Sequence, residues 1–406
     1  MIKITITFFL ITLFAHASLN FDTNANQQVE VLQSLDIDPT FINDKDLIRT
    51  EDLYKKRYTK AHFFKAMKDA YIFIPRVKEM ISRADVPQSI LYLAMAESNF
   101  KTRAYSRKKA SGMWQFMPYT AKIFGLKINN YVDERRDLIK ATAAAIKYLQ
   151  QAHRKFGKWY LAALSYNCGM GRVKRAIRRA GTDDLAVLLK ARKKYLPKES
   201  RHYIRKIVAL SLMSQDEDFM LKTEFDYLMN RGNAYSLATI KLPSGERLSR
   251  VAKILHMKLS ELKKLNRHLK YDFIPPNKKG YDVYIPYIKL SAFKEDYKPK
   301  KLNQIYLVHL VKRGESLASI GRKYHIPYRV IKDFNGLRRN FLSLKQKLII
   351  PIDKKSGYAY NSYIVRKGDT LGSISRKFRL GLKRLRTLNS LTSNNIHIGD
   401  RLIVLD

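Results

Sequence analysis

The chain is poor in cysteine, in acid and in long apolar runs. Among its 406 residues Cys168 is the only cysteine. One thiol cannot close an intrachain disulfide, and thiolate metal sites need several sulfurs. No HExxH run or tight His/Asp cluster is present either, so neither a metal nor a cofactor is expected. Beyond the first twenty residues no stretch is apolar enough to cross a bilayer. Asp and Glu number 35 against 78 Lys and Arg, a formal net charge of +43. Such an excess calls for an anionic partner: nucleic acid, a cell wall or an anionic membrane surface.

The N-terminus favours the envelope. MIKITITFFLITLFAHASLN carries Lys3, a run from Ile4 to Ala15 that is apolar apart from threonines, and the small-x-small pattern Ala15-His16-Ala17. Residues 1–17 therefore read as a secretory signal peptide, with periplasm or envelope as destination. A retained anchor is the alternative, though the run is short for a span. No cysteine follows it, so lipoprotein attachment is not expected. Export argues against a specific nucleic-acid partner.

A chain of this length holds two or more domains. Residues 18–60 open polar and acidic without sustained periodicity and read as a lead-in. From 61 to 215 the runs are helical in kind and separated by glycine and proline, which predicts an all-α domain. Residues 216–240 read as a connector. The remainder repeats. VKRGESLASIGRKYHIPYRVIKDFN (Val311–Asn335) overlays VRKGDTLGSISRKFRLGLKRLRTLN (Val365–Asn389), and LPSGERLSRVAKILHMKLSELKKLN (Leu242–Asn266) overlays both more weakly. In each copy glycine precedes asparagine by 21 residues: Gly245/Asn266, Gly314/Asn335 and Gly368/Asn389. Branched runs at the ends give strand, helix, helix, strand. The modules fall at 304–352 and 362–406, joined by a linker at 353–361. The copy at 241–286 lacks a clear opening strand and reads as a degenerate module.

The chemistry centres on Glu97. In DVPQSILYLAMAESNF, Asp85 is placed to cap a helix and Pro87 falls in its first turn. Ile90, Leu93 and Ala94 form a core-facing stripe, and Glu97 continues it. A carboxyl there is expected near a helix end and partly buried, where ionisation is costly. Gln115 sits among apolar neighbours in SGMWQFMPYTA, either tying down a loop or bonding a polar ligand. Tyr166 and Asn167 end an alanine-rich helix in LSYNCGMGRV, facing a cleft or capping the helix. Asp133, Glu134 and Asp137 mix with Arg135 and Arg136 in YVDERRD, a structural salt-bridge cluster. No second catalytic carboxylate is evident, although glycosidases usually need a pair.

Taken in order, ES-N-F at 97–100, A-Y-S at 104–106, S-G-M-W-Q-F-M-P at 111–118, A-T-A-A-A-I-K-Y-L at 141–149 and S-Y-N-C-G at 165–169 resemble the goose-lysozyme-like lytic transglycosylases. GMWQFMP and YVDERRD resemble the membrane-bound lytic transglycosylase D group, and the GESL and GDTL repeats resemble LysM modules. The resemblance implies a lysozyme-like catalytic domain followed by small βααβ modules that bind peptidoglycan glycan strands. It implies Glu97 as the single acid and base, which protonates the oxygen between N-acetylmuramic acid and N-acetylglucosamine. Glu97 then takes the proton of the muramic 6-hydroxyl as the 1,6-anhydro ring closes. By the same motifs Ser106 and Gln115 would contact sugar or peptide groups, and Met113 would line the cleft. Tyr166 and Asn167 would position Glu97 and the muramoyl residue. Glu199, in a segment that closes the domain, reads as structural.

Residues 301–406 contain 22 Lys/Arg and 6 Asp/Glu, so the modules are also suited to holding anionic wall polymer. An anionic membrane surface and wall-assembly proteins are further candidate partners. Two rival readings stand beside the transglycosylase. One is a hydrolytic muramidase using Asp133 or Asp137 as a second carboxylate; the other is a silent peptidoglycan-binding scaffold.

Overall fold

The computed structural model describes residues 25–58, 70–221, 237–275, 280–299, 304–324, 326–353, 362–389, 391 and 393–404. The expected signal segment (1–17) lies outside these residues, as does all but the first residue of the expected linker (353–361). Two compact units divide the chain. One comprises residues up to Ala238 with Asn266–His268 and Pro286–Ile288, and the other the remainder.

The first unit is helical, built around the helix Lys198–Met213. Every residue of that helix from Ile207 to Met213 is buried, so it is enclosed on all sides rather than amphipathic. It packs against Lys45–Tyr58, Leu91–Ser98 and Trp159–Cys168. The helix Leu138–Phe156 begins where Asp137 accepts the Lys140 amide, and it stops at Gly157 with φ 72°. Half of its buried stripe is alanine (Ala141, Ala144, Ala145, Ala152), which lets neighbouring helices approach closely.

Two expectations change here. Residues 25–58 are not a loose lead-in, because they carry the fully buried Leu32, Leu35, Leu47 and Tyr58. Asp44 pairs with the buried Arg205 of the central helix at 2.8 Å. Their apolar residues straddle a 3-10 turn at Pro39–Asn43, so no single period runs through them. Asp85 is not a cap. It takes a left-handed φ of 51° and donates its amide to Ser82 O at 3.1 Å, ending the preceding helix. Pro87 instead opens the 3-10 turn Gln88–Ile90, which leads into the helix Leu91–Ser98.

From Leu237 onward the chain builds three βααβ modules with two-stranded sheets: β1 (Leu237–Leu242) with β2 (Tyr281–Pro286), β3 (Gln304–Leu310) with β4 (Lys347–Asp353), and β5 (Ser362–Ile364) with β6 (Arg401–Ile403). The opening strand that the 241–286 copy was expected to lack is β1. It lies mostly upstream of 241, in the stretch read as connector, so the module is complete rather than degenerate.

The glycine–asparagine repeat has a physical cause. Gly245, Gly314 and Gly368 all take φ between 81° and 89°, a left-handed turn that side chains resist. The acid after the glycine closes the same turn: Glu315 Oε2 accepts the Lys312 amide and Asp369 Oδ2 the Arg366 amide. Those amides hold both carboxyls below the usual carboxylate range. Asn335 ties the second helix to the returning strand. It donates to Ile331 O and Ile349 O, both at 2.8 Å, and accepts the Ile349 amide at 2.7 Å. Asn389 repeats this with Leu385 O, Ile403 O and the Ile403 amide.

Asn335→Ala breaks all three bonds. It is expected to destabilise its module by about 2 kcal/mol, lowering the urea midpoint of the C-terminal transition while the helical unit's midpoint holds. An unmoved C-terminal midpoint would refute the tie.

Candidate active site

Glu97 is the penultimate residue of the helix Leu91–Ser98, and the chain turns sharply after it. Asn99 and Phe100 both take left-handed φ, 51° and 57°. Each such residue costs about 1–2 kcal/mol. Burial of the Phe100 ring, which is 0 % exposed, offsets that strain. Ser98 Oγ donates to Met113 O at 2.7 Å, pinning the helix end to the 111–118 loop. That loop is itself strapped down. Arg135 Nη1 donates to Lys109 O and Phe116 O, and Arg136 Nε donates to Ser111 Oγ. Gly112 has φ +83°, and a Cβ there would meet Arg135 O at 1.9 Å, so only glycine fits. Trp114, fully buried, donates its indole N–H to Thr142 Oγ1 at 2.9 Å.

Among the described residues the Glu97 carboxyl has one hydrogen-bond donor, the Tyr203 hydroxyl, at 2.7 Å from Oε1. Burial dominates and pushes its pKa up to about 7; the Tyr203 bond and the nearby Lys206 ammonium oppose the rise, and the Glu199 carboxylate adds to it. Lys206 is held by Ala96 O at 2.6 Å, and burial lowers it to about 8. Near neutral pH Glu97 is therefore divided between acid and base forms, the condition for proton transfer in either direction.

Tyr166 is brought to this centre. Its hydroxyl donates to Trp114 O at 2.8 Å, its ring meets Phe116 and Tyr148 edge-on, and burial, followed by the Glu97 charge, raises its pKa. Asn167 Oδ1 accepts Ser200 Oγ at 2.7 Å, which fixes the amide against the central helix. Gln115 is half-buried with a left-handed φ of 48°, and its Nε2 donates to Gly112 O at 2.7 Å. Of the two roles foreseen for it, the loop tie is thus present.

One residue sits differently from expectation. Met113 is 1 % exposed, so its side chain belongs to the core and not to an open cleft wall; the loop turns it inward where Ser98 grips its carbonyl. Ser106 closes a tight loop, exchanging bonds with the Ala110 backbone through its amide and its Oγ.

Sequence reasoning missed Tyr203, Lys206 and Ser200. All three lie on the central helix, some hundred residues from Glu97 in the chain, and the charged run KESRHYIRK around them carried no signal that singled them out. The 133–137 cluster is structural, as expected. Asp133 pairs with Arg135 at 2.7 Å, Glu134 with Lys140 at 2.7 Å, and Asp137 caps the following helix. None of the three is available as the muramidase's second carboxylate.

With this geometry in place, the comparisons define the class. Residues 77–188 match the family described as transglycosylase SLT domain, residues 309–351 and 363–404 the LysM domain, and residues 236–301 the lytic transglycosylase MltD, LysM-like domain. The chain thus carries a transglycosylase SLT domain in its all-α part, followed by three modules of the LysM type. It is similar to membrane-bound lytic murein transglycosylase D of Escherichia coli (strain K12), at 26% identity over 386 residues, 89% of this chain and 82% of that protein. N-acetylmuramoyl-L-alanine amidase sle1 of Staphylococcus saprophyticus is 29% identical over 187 residues, 42% of this chain and 53% of that protein. The SLT match ends before the central helix that supplies Tyr203. The third LysM-type match begins at 236, agreeing with β1 rather than with the expected boundary at 241.

Two predictions follow from the buried carboxyl. Between pH 4.5 and about 7 the folded Glu97 holds a proton that the unfolded chain releases, so its contribution to stability falls as pH rises through that window. Glu97→Gln removes this cost. The variant should gain up to about 3 kcal/mol over the parent above pH 7 and nothing below pH 4.5, read from urea unfolding; a pH-independent difference would contradict the burial. Tyr203→Phe removes the bond that favours the carboxylate, so Glu97 should titrate higher and the alkaline limb of the rate profile should move to higher pH. Movement to lower pH would be the wrong sign.

Proposed function

We propose that the protein cleaves the β-1,4 bond between N-acetylmuramic acid and N-acetylglucosamine in peptidoglycan, leaving 1,6-anhydromuramoyl ends. The observation that carries this is the desolvated carboxyl of Glu97, poised near neutral, with the other carboxylates proposed for the reaction, Asp133 and Asp137, tied into an ion pair and a helix cap. Protonated Glu97 gives its proton to the bridging oxygen as the bond from that oxygen to the muramic anomeric carbon breaks. The carboxylate then takes the proton of the muramic 6-hydroxyl while that oxygen bonds to the anomeric carbon. Glu97 ends protonated, ready for the next strand. The intramolecular hydroxyl is already at high effective concentration, so no water need be activated. Because Tyr203 occupies Oε1, Oε2 carries the mobile proton. Tyr166 and Asn167 orient the muramoyl residue, and Gln115 offers its remaining amide oxygen to the substrate.

The LysM modules hold the strand. Leu344 and Ile398 occupy equivalent repeat positions, before β4 and before β6, and both are exposed, at 62% and 70%. Beside Leu344, Phe341 presents an open ring at 89% exposure. Apolar and aromatic faces of this kind suit sugar rings, and linked weak sites raise the effective concentration of glycan at Glu97. Excess basic charge assists on an anionic wall or membrane surface. No helix among the described residues is long and apolar enough to cross a membrane; work in the envelope after export, in the periplasm, is the setting that fits.

Mass spectrometry of soluble products from purified peptidoglycan tests the reading. Products ending in 1,6-anhydromuramic acid are expected, with Glu97→Gln slower by about 10²–10⁴-fold. Reducing ends one water heavier would make the enzyme a hydrolase. Binding without products from the parent protein would make it a scaffold.

A further inference from the structure

A second concave feature of the helical unit adjoins the site and has no role in the chemistry above. It is a groove of about 520 Å³. One wall is the helix Met170–Ala180, which presents Arg172, Arg175 and Arg179; the other comprises Lys194, Lys198 and Arg201. Among the described residues no carboxylate lines it. The floor is fixed. Arg201 Nη1 donates to Leu196 O at 2.6 Å, and Arg179 lies over the Tyr195 ring at 6.0 Å. The cations are mostly exposed, so they repel one another across the groove without an internal counter-charge.

The groove begins where the site ends. Arg175 folds back toward the turn between helices, its Nη1 3.6 Å from where a Cβ on Gly171 would sit. Arg172 is close enough to Cys168 for its charge to act on that thiol, and Cys168 follows Asn167. From the opposite wall Lys198 lies two residues before Ser200, which bonds Asn167. A ligand that leaves the site past Asn167 therefore meets the cations first.

We propose that this groove is a subsite for the free carboxylates of the peptide stem on the muramic acid seated at Glu97, an inference that rests on the proposed function. Muramic acid carries its peptide on the lactyl group, and stem peptides bear several carboxylates along a short chain. Arginines on two successive turns of one helix, facing lysines and an arginine across a narrow gap, match spaced carboxylates better than a single compact anion. Guanidinium pairs carboxylate through two parallel bonds.

Calorimetric titration of the full-length protein at low ionic strength with soluble stem peptide tests the assignment. Amidating the carboxylates should weaken binding about tenfold or more, and Arg175→Gln with Arg179→Gln should do the same. Lys194→Gln with Lys198→Gln, on the other wall, is a second variant in case the first does not fold. No binding, binding indifferent to amidation or to both variants, or inorganic phosphate binding more tightly than the peptide would each overturn the proposal. A second arm compares cleavage of stem-bearing strands with strands stripped by an amidase. The ratio of the two rates should exceed unity in the parent and fall toward unity in the variants; an unchanged ratio overturns the proposal. If the parent yields anhydro ends from neither substrate, the proposed function fails, while the titration still decides the groove.

Discussion

A carboxyl group largely withdrawn from water and bonded by the Tyr203 hydroxyl is the constraint around which the helical unit is arranged. Glu97 would be an ordinary carboxylate at the surface. Withdrawn from water beside Tyr203, it becomes an acid near neutral pH. Placing it there requires a helix that ends one residue later and a turn through two left-handed residues. A loop must also be clamped by Arg135 and Arg136 from behind. The charged cluster at 133–137 thus serves the site at one remove: it holds the loop that holds the helix end. Lys206 keeps the carboxyl from rising further, and Glu199 works against Lys206. The poise is a balance of opposed charges over a dominant desolvation term.

The two units divide the work along physical lines. The helical unit is large enough to enclose a central helix and to bury polar groups with their partners. The two C-terminal modules instead rely on a left-handed glycine, an acid that closes the turn and an asparagine that bridges helix to strand. Buried side chains of the modules at 304–353 and 362–404 form one apolar cluster, from Val311 to Val404. Repetition therefore builds a shared core as well as repeated binding faces.

Much of this was legible in the sequence because the relevant signals are local. The helix stripe ending at Glu97 and the Gly–Asn spacing each lie within some thirty residues. Family motifs added Tyr166 and Asn167, which a helix-end reading alone left undecided between cleft and cap. What was not legible is long-range or hidden by geometry. Tyr203 sits in the basic run SRHYIRK, and nothing nearby in the chain says that its hydroxyl meets Glu97. Met113 was expected at the cleft from the motif resemblance, but its side chain is buried in the core, a placement that depends on the folded loop rather than on the motif. Residues 25–58 concealed their packing by breaking their period at a 3-10 turn, and β1 was missed because its residues were assigned to the connector.

The account stands on the protonation of one side chain, and that can be observed directly. Carbon NMR of protein labelled at the glutamate side-chain carboxyl, titrated in the parent and in Glu97→Gln, isolates it. One resonance that titrates near pH 7 and vanishes in the variant is the predicted result. If every glutamate carboxyl titrates below pH 5, Glu97 is an ordinary carboxylate, and the acid–base role derived from its burial is wrong.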